Sequence, residues 1–133
     1  MTDLERERAA DALQKVKALL DRPVEFKRIY RPYVDRFGGA LVMNGLGQAL
    51  ATELAAAGSN PSTEEERAHR ALADHVFDWL AREEGGVYPG VENVMAAITE
   101  SDQARYVRAQ IETLAWLNWH KKFCHAYLPK GSD

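Results

Sequence analysis

The chain is short of everything that staples or anchors a protein. It has one cysteine, Cys124, so no internal disulfide can form, and a lone cysteine fits a reducing compartment. No apolar run approaches the roughly 20 residues of a membrane span. The first residues, Met1-Thr2-Asp3-Leu4-Glu5-Arg6-Glu7-Arg8, carry charge where a secretory signal needs an apolar stretch. These absences together predict a cytoplasmic protein. Strand signals are also nearly missing, because no segment alternates cleanly and β-branched residues are scattered. There is no repeat, no low-complexity tract and no linker long enough to divide domains. Nor is there an excess of positive charge. The formal net charge is −3, so any polyanion-binding surface has to be local.

What is present is helical periodicity. In 133 residues, 46% of them apolar, one core is sufficient without metal or disulfide. The prediction is an all-α fold, a single compact bundle of five to six helices with short loops. It spans residues 1–133, with a frayed tail from about residue 129. Thr2 and Glu5 form a candidate capping box for a first helix ending near Leu20. Pro23 suits the first position of a second helix, with Phe26, Ile29, Tyr30, Tyr33, Val34 and Phe37 on one face. Pro32 predicts a kink or a split there, and Gly38-Gly39 an end or a sharp bend. A third helix is expected over Ala40–Ala56, with Met43, Leu46, Leu50 and Leu54 as its buried stripe. Gly45 and Gly47 fall inside it, at about 1 kcal/mol each relative to alanine. Either another helix approaches closely there, the favoured reading, or a short loop opens a helix at Leu46. A fourth helix, capped by Asn60 or Ser62, runs to about Arg82. A short fifth covers Val91–Ile98. The last, capped by Thr99 or Ser101, reaches about Leu128, with Val107, Ile111, Leu114, Leu117 and Leu128 as its apolar side.

Residues that could do chemistry do not assemble into a motif. His120 and His125 are five apart, about 140° around a helix. His120 and Cys124 share a face, but two ligands are too few for structural zinc. Cys124 lies late in a helix, the wrong end for a stabilised thiolate, and reads as a small buried hydrophobe. Asp74 and Asp78 are four apart, with His75 between them, and read most simply as solvated acids. Gly45-Leu46-Gly47 has neither the preceding strand of a dinucleotide fingerprint nor the Lys-Ser/Thr of a phosphate loop. No catalytic site, metal site or cofactor is predicted.

Two features remain. Lys27, Arg28 and Arg31, with Lys17 and Arg36 nearby, could follow a phosphate backbone, Lys17 joining Arg28 if the first two helices pack as a hairpin. An ordinary solvated face is the simpler reading of that pattern alone. The closing helix is rich in Trp116, Trp119, Phe123 and Tyr127. These either hold it in the core or anchor a partner.

Three segments carry a family resemblance: Tyr30-Arg31-Pro32-Tyr33-Val34 leading into Asn44-Gly45-Leu46-Gly47-Gln48-Ala49-Leu50-Ala51; Val76-Phe77-Asp78-Trp79-Leu80; and Leu114-Ala115-Trp116-Leu117-Asn118-Trp119-His120-Lys121-Lys122-Phe123. In these the chain resembles the small α-helical subunit of the type III-B CRISPR effector, the Cmr complex. The resemblance implies a scaffold rather than an enzyme. Copies would stack along a filament beside the backbone and large subunits and help line the groove holding guide RNA paired with target RNA. It implies Lys27, Arg28 and Arg31 as the basic surface, with Lys17 and Arg36 as weaker members. It also implies Gly45 and Gly47 as close-packing positions, and Trp116, Trp119 and Phe123 as core. Relatives can be monomeric when isolated. A net charge of −3 implies modest sites repeated along a polymer.

Overall fold

The computed structural model describes residues 1–131. Among them are six helices and no strand: α1 (Asp3–Ala18), α2 (Val24–Asn44), α3 (Leu46–Ala57), α4 (Glu64–Ala81), α5 (Val94–Glu100) and α6 (Gln103–Tyr127). None is long and apolar enough to cross a membrane. Helices α2 and α6 run antiparallel, with Arg31 beside His125 and Leu128, and Leu46, at the start of α3, beside Gln110. Helix α1 packs on α6, α4 covers α2 and α3, and α5 closes the end of α3 and α4.

Most helix ends follow from local chemistry. The Thr2 hydroxyl accepts from the Glu5 amide at 3.0 Å. The cap of α4 is Thr63, not Asn60 or Ser62, and it forms a reciprocal capping box with Glu66. Asn93 caps α5, which begins at Val94, three residues later than expected, and Asp102 rather than Thr99 or Ser101 caps α6.

The second and third helices depart from expectation. Helix α2 continues through Pro32 and through Gly38-Gly39 without a split. Phe26, Tyr30, Val34, Phe37 and Leu41 are buried on one face, and this burial carries the helix past both glycines. Proline has no amide for the Arg28 carbonyl. The segment after α6 packs against that oxygen, where a methyl on Gly131 would lie 3.1 Å away. The break falls instead at Gly45, whose φ of +88° belongs to glycine's range. Helix α3 therefore starts at Leu46 and not at Ala40, and Met43, expected in the buried stripe, is 82% exposed.

Helix α6 also differs in phase. Leu117 and Leu128 are buried, but Val107, Ile111 and Leu114 face outward. The buried side is built from Ala109, Glu112, Thr113, Trp116, His120 and Cys124. Each polar member has an internal partner. Glu112 receives Arg8 through two bonds of 2.7 Å and the Trp79 indole at 3.2 Å. Burial alone would raise the Glu112 carboxyl, but Arg8, with Trp79 and Arg82, outweighs it and holds the group below its ordinary value.

At the centre, the Tyr30 hydroxyl lies 2.6 Å from His75 Nδ1 and 2.7 Å from His120 Nε2. His120 Nδ1 is 3.3 Å from the Ala12 carbonyl, so that nitrogen carries the proton. His120 Nε2 must then accept from the Tyr30 hydroxyl, and His75 Nδ1–H must donate to the Tyr30 oxygen. The chain of bonds joins α1, α6, α2 and α4. Burial, reinforced by the charges of Lys15 and Arg22, pushes His75 down to about 3. Burial, with His75 adding to it, keeps His120 well below its ordinary value.

Two outcomes follow from this chain of bonds. Tyr30→Phe leaves two imidazole nitrogens without their partner, and the expected loss is about 2–4 kcal/mol in urea unfolding. An unchanged midpoint would show that the hydroxyl is not holding the rings. Both histidines stay neutral in the fold while the unfolded chain protonates below about pH 6.5. Stability therefore falls as pH drops below that value, by up to about 1.4 kcal/mol per pH unit for each ring, and the His75 contribution continues to be lost towards about 3. A melting temperature that stays flat between pH 7 and pH 4.5 would contradict this assignment.

Candidate nucleic-acid interface

The five cations named from the sequence do not form one stripe. Lys27 Nζ donates to the Leu20 carbonyl at 3.0 Å, just beyond the end of α1. Arg31 Nη1 donates to the Leu128 carbonyl at 3.1 Å, beyond the end of α6. Both occupy helix C-termini, where carbonyls lack partners and cations are favoured. Arg31 Nη2 also donates to His125 Nδ1 at 3.1 Å, and His125 Nε2 then donates to Asp35 at 2.9 Å. Arg36 turns to another side of α2, its guanidinium carbon 4.7 Å from the Tyr33 ring centroid. Lys17 is exposed on α1, which packs against α6 and makes only marginal contact with α2. The hairpin that would set Lys17 beside Arg28 is therefore not formed. Arg28 is exposed, with no hydrogen bond or ion pair among the described residues.

Other positive groups on the surface come from several elements. His125 and the Leu128 carbonyl hold Arg31 in place, and Lys121 lies one turn before His125 on α6. Lys130 is exposed in the segment that returns along α2. The spacing within α2 could not reveal that Arg31 is tied down, since this depends on the antiparallel pairing of α2 with α6.

The glycines sit at a junction. Gly45 separates α2 from α3 and is not interior to a helix, while Gly47 lies in the first turn of α3. Helix α3 has no cap of its own. The Leu46 amide donates to Gln110 Oε1 at 3.1 Å and the Gly47 amide to the Tyr106 hydroxyl at 2.9 Å. A methyl on Gly47 would meet that hydroxyl at 3.5 Å, an ordinary contact. Of the aromatics, Trp116 is fully buried, stacked on His120 and donating to Asp11 at 2.7 Å. Trp119 stacks on Phe123 and both are partly buried. Tyr127 is 48% exposed.

The groups considered for catalysis are separated. His75 points inward to Tyr30, whereas Asp74 pairs with Arg70 at 3.1 Å on the surface. Cys124 is buried, and burial pushes its thiol up to about 12. No trio of His, Cys, Asp or Glu among the described residues is arranged to hold a metal ion.

Comparison with curated proteins gives no match. The family described as CRISPR-associated protein (Cas_Cmr5) matches residues 4–127, which takes in all six helices except the first residue of α1. The chain therefore belongs to the Cas_Cmr5 family of CRISPR-associated proteins.

Proposed function

We propose that this chain is a non-catalytic structural subunit of a type III-B CRISPR ribonucleoprotein in the cytoplasm. It stacks along the filament with copies of itself and with the backbone and large subunits. It helps hold the guide RNA–target RNA duplex through sequence-independent contacts to the phosphate backbone, in antiviral defence. The observation that carries this reading is the family match over nearly the whole chain. The Arg28 guanidinium, exposed and without a partner among the described residues, supports the nucleic-acid part, and the segment carrying Lys130 packs beside it at Gly131. Contacts of this kind follow charge and shape, not base identity.

A second reading has its own support. Val107, Ile111 and Leu114 are 45%, 62% and 37% exposed on α6, and Val42 on α2 is 68% exposed. Apolar side chains left outside at helical spacing favour a protein contact. In that reading the chain is a helical protein–protein interaction module that touches no RNA.

The two readings separate on Arg28 and Lys17, which have no structural duty in the fold, unlike Lys27 and Arg31. In the reconstituted complex, Arg28→Glu combined with Lys17→Glu is expected to weaken target-RNA binding uniformly across sequences. The slope of log affinity against log salt should fall by about one for each phosphate that the variant no longer neutralises. Unchanged affinity and slope, with the subunit still incorporated, would leave only the protein-contact reading.

A further inference from the structure

Between α2, α3 and α4 lies a cavity of about 210 Å³, open on one side, which the proposed RNA contacts do not use. Its walls are largely apolar, from Phe37, Ala40 and Ala49 with the Tyr33 ring. Tyr33 is stacked on His69 with ring centroids 4.0 Å apart. Glu53 enters this wall although it is only 7% exposed. One of its oxygens, Oε2, is 2.9 Å from His69 Nδ1. The other, Oε1, has no hydrogen-bond partner among the described residues and is not sealed from solvent. Arg36 stands at the rim, over Tyr33.

The same three parts, an apolar slot, a largely buried carboxylate and a neighbouring cation, occur twice elsewhere in the molecule. In both places they hold an indole. Trp79 donates its N–H to Glu112 at 3.2 Å under the Arg82 guanidinium, 3.4 Å from the ring centroid. Trp116 donates to Asp11 at 2.7 Å, with Lys15 5.4 Å from its ring centroid. At Glu53 the carboxylate, the cation and the slot are present, but this chain supplies no indole. A cavity of about 150 Å³ accommodates benzene, so 210 Å³ leaves room for the larger bicyclic ring.

The geometry points to this cavity as the receptor for a tryptophan side chain of a partner protein, its ring in the Phe37–Ala49 slot and its N–H on Glu53 Oε1. The charge pattern favours that occupant. Burial raises the Glu53 carboxyl above its ordinary value, against the opposing effects of His69 and Arg36. A donor brought to Oε1 relieves this penalty, while the apolar ring covers the walls. A phenyl ring would fill the slot and leave the carboxylate oxygen without a donor. Large aromatic anchors seated in small pockets commonly dominate protein interfaces.

The test uses the intact ¹⁵N-labelled chain and four probes: N-acetyl-tryptophanamide, N-acetyl-phenylalaninamide, free tryptophan and AMP. The tryptophan amide should shift the amides of Tyr33, Phe37, Ala49, Glu53 and His69. The phenylalanine amide should bind there about tenfold more weakly, the loss expected for one hydrogen bond to a charged acceptor. Glu53→Gln should shrink that difference. Thr52→Phe, at an exposed rim position, should block the cavity and abolish the shifts even if the Glu53 variant folds poorly. Equal binding of the two amides would overturn the proposal. So would shifts at these residues from AMP in preference to the tryptophan amide, which would mark a nucleobase site. Free tryptophan binding more tightly than the capped residue would overturn it too, indicating a small-molecule site.

Discussion

The Tyr30 hydroxyl has one proton and two imidazoles to satisfy, and this small constraint governs how the helices meet. Because His120 commits its Nδ1 proton to the Ala12 carbonyl, only one arrangement of hydrogen atoms closes the chain through His120, Tyr30 and His75. The four helices involved are consequently tied at one height along their axes. A purely apolar seam would let α2 slide past α6 by a turn and still bury most of its surface. Here such a slip would strand three buried polar groups at about 1–3 kcal/mol each. The Trp116 ring stacked on His120 extends the same register to Asp11 on α1.

Register at the centre determines what can happen at the ends. With α2 and α6 fixed antiparallel, Gln110 and Tyr106 reach the bare amides of α3, and Arg31 reaches the bare carbonyl after α6. Each of these helix ends is completed by a side chain from another helix, so the ends depend on the packing as much as the packing depends on the helices. Gly45 is the hinge of this arrangement. Its positive φ turns the chain out of α2, and the lack of a side chain leaves room for Tyr106 and Gln110, whose oxygens lie within 3.4 Å of where a methyl would sit.

How far this is legible in the sequence depends on the distance over which each signal acts. The all-helical class, the cap at Thr2 and the buried stripe of α2 are local, and they stand in the residues themselves. The favoured start of α3 at Ala40 is misplaced, and the alternative of a helix opening at Leu46 holds: proline and adjacent glycines read as stronger breakers than a single later glycine, whereas burial of Phe37 and Leu41 outweighs them. The phase of α6 is misread because hydropathy counts Glu112, Thr113 and His120 as outward-facing. Only their partners make them fit for the interior, and most of those partners, on α1, α2 and α4, are far away in sequence. The candidate cations suffer the same way. Charge and spacing pick out Lys27, Arg28 and Arg31, but which of them is free depends on helix ends that the spacing does not describe. The Glu53 cavity gives no signal at all, since Tyr33, Ala49 and His69 meet only in the fold.

That division among the cations also bears on how strongly one copy could attract a polyanion. A helix C-terminus carries about −0.5 of an elementary charge. Lys27 and Arg31 each sit on one, so together they project about one positive charge rather than two. Asp35, joined to Arg31 through His125, offsets part of what remains. Arg28 and Arg36 are left as the cations of α2 without a hydrogen bond or ion pair among the described residues, on a chain whose total is −3. At physiological salt, where screening sets in over about 8 Å, so small a surplus cannot draw a nucleic acid from a distance. It can contribute only once other contacts hold the strand close, and the contribution grows with the number of copies set along it. The fold thus places its cations where they first complete its own helices, and an array, more than a single molecule, would turn the remainder into a binding surface.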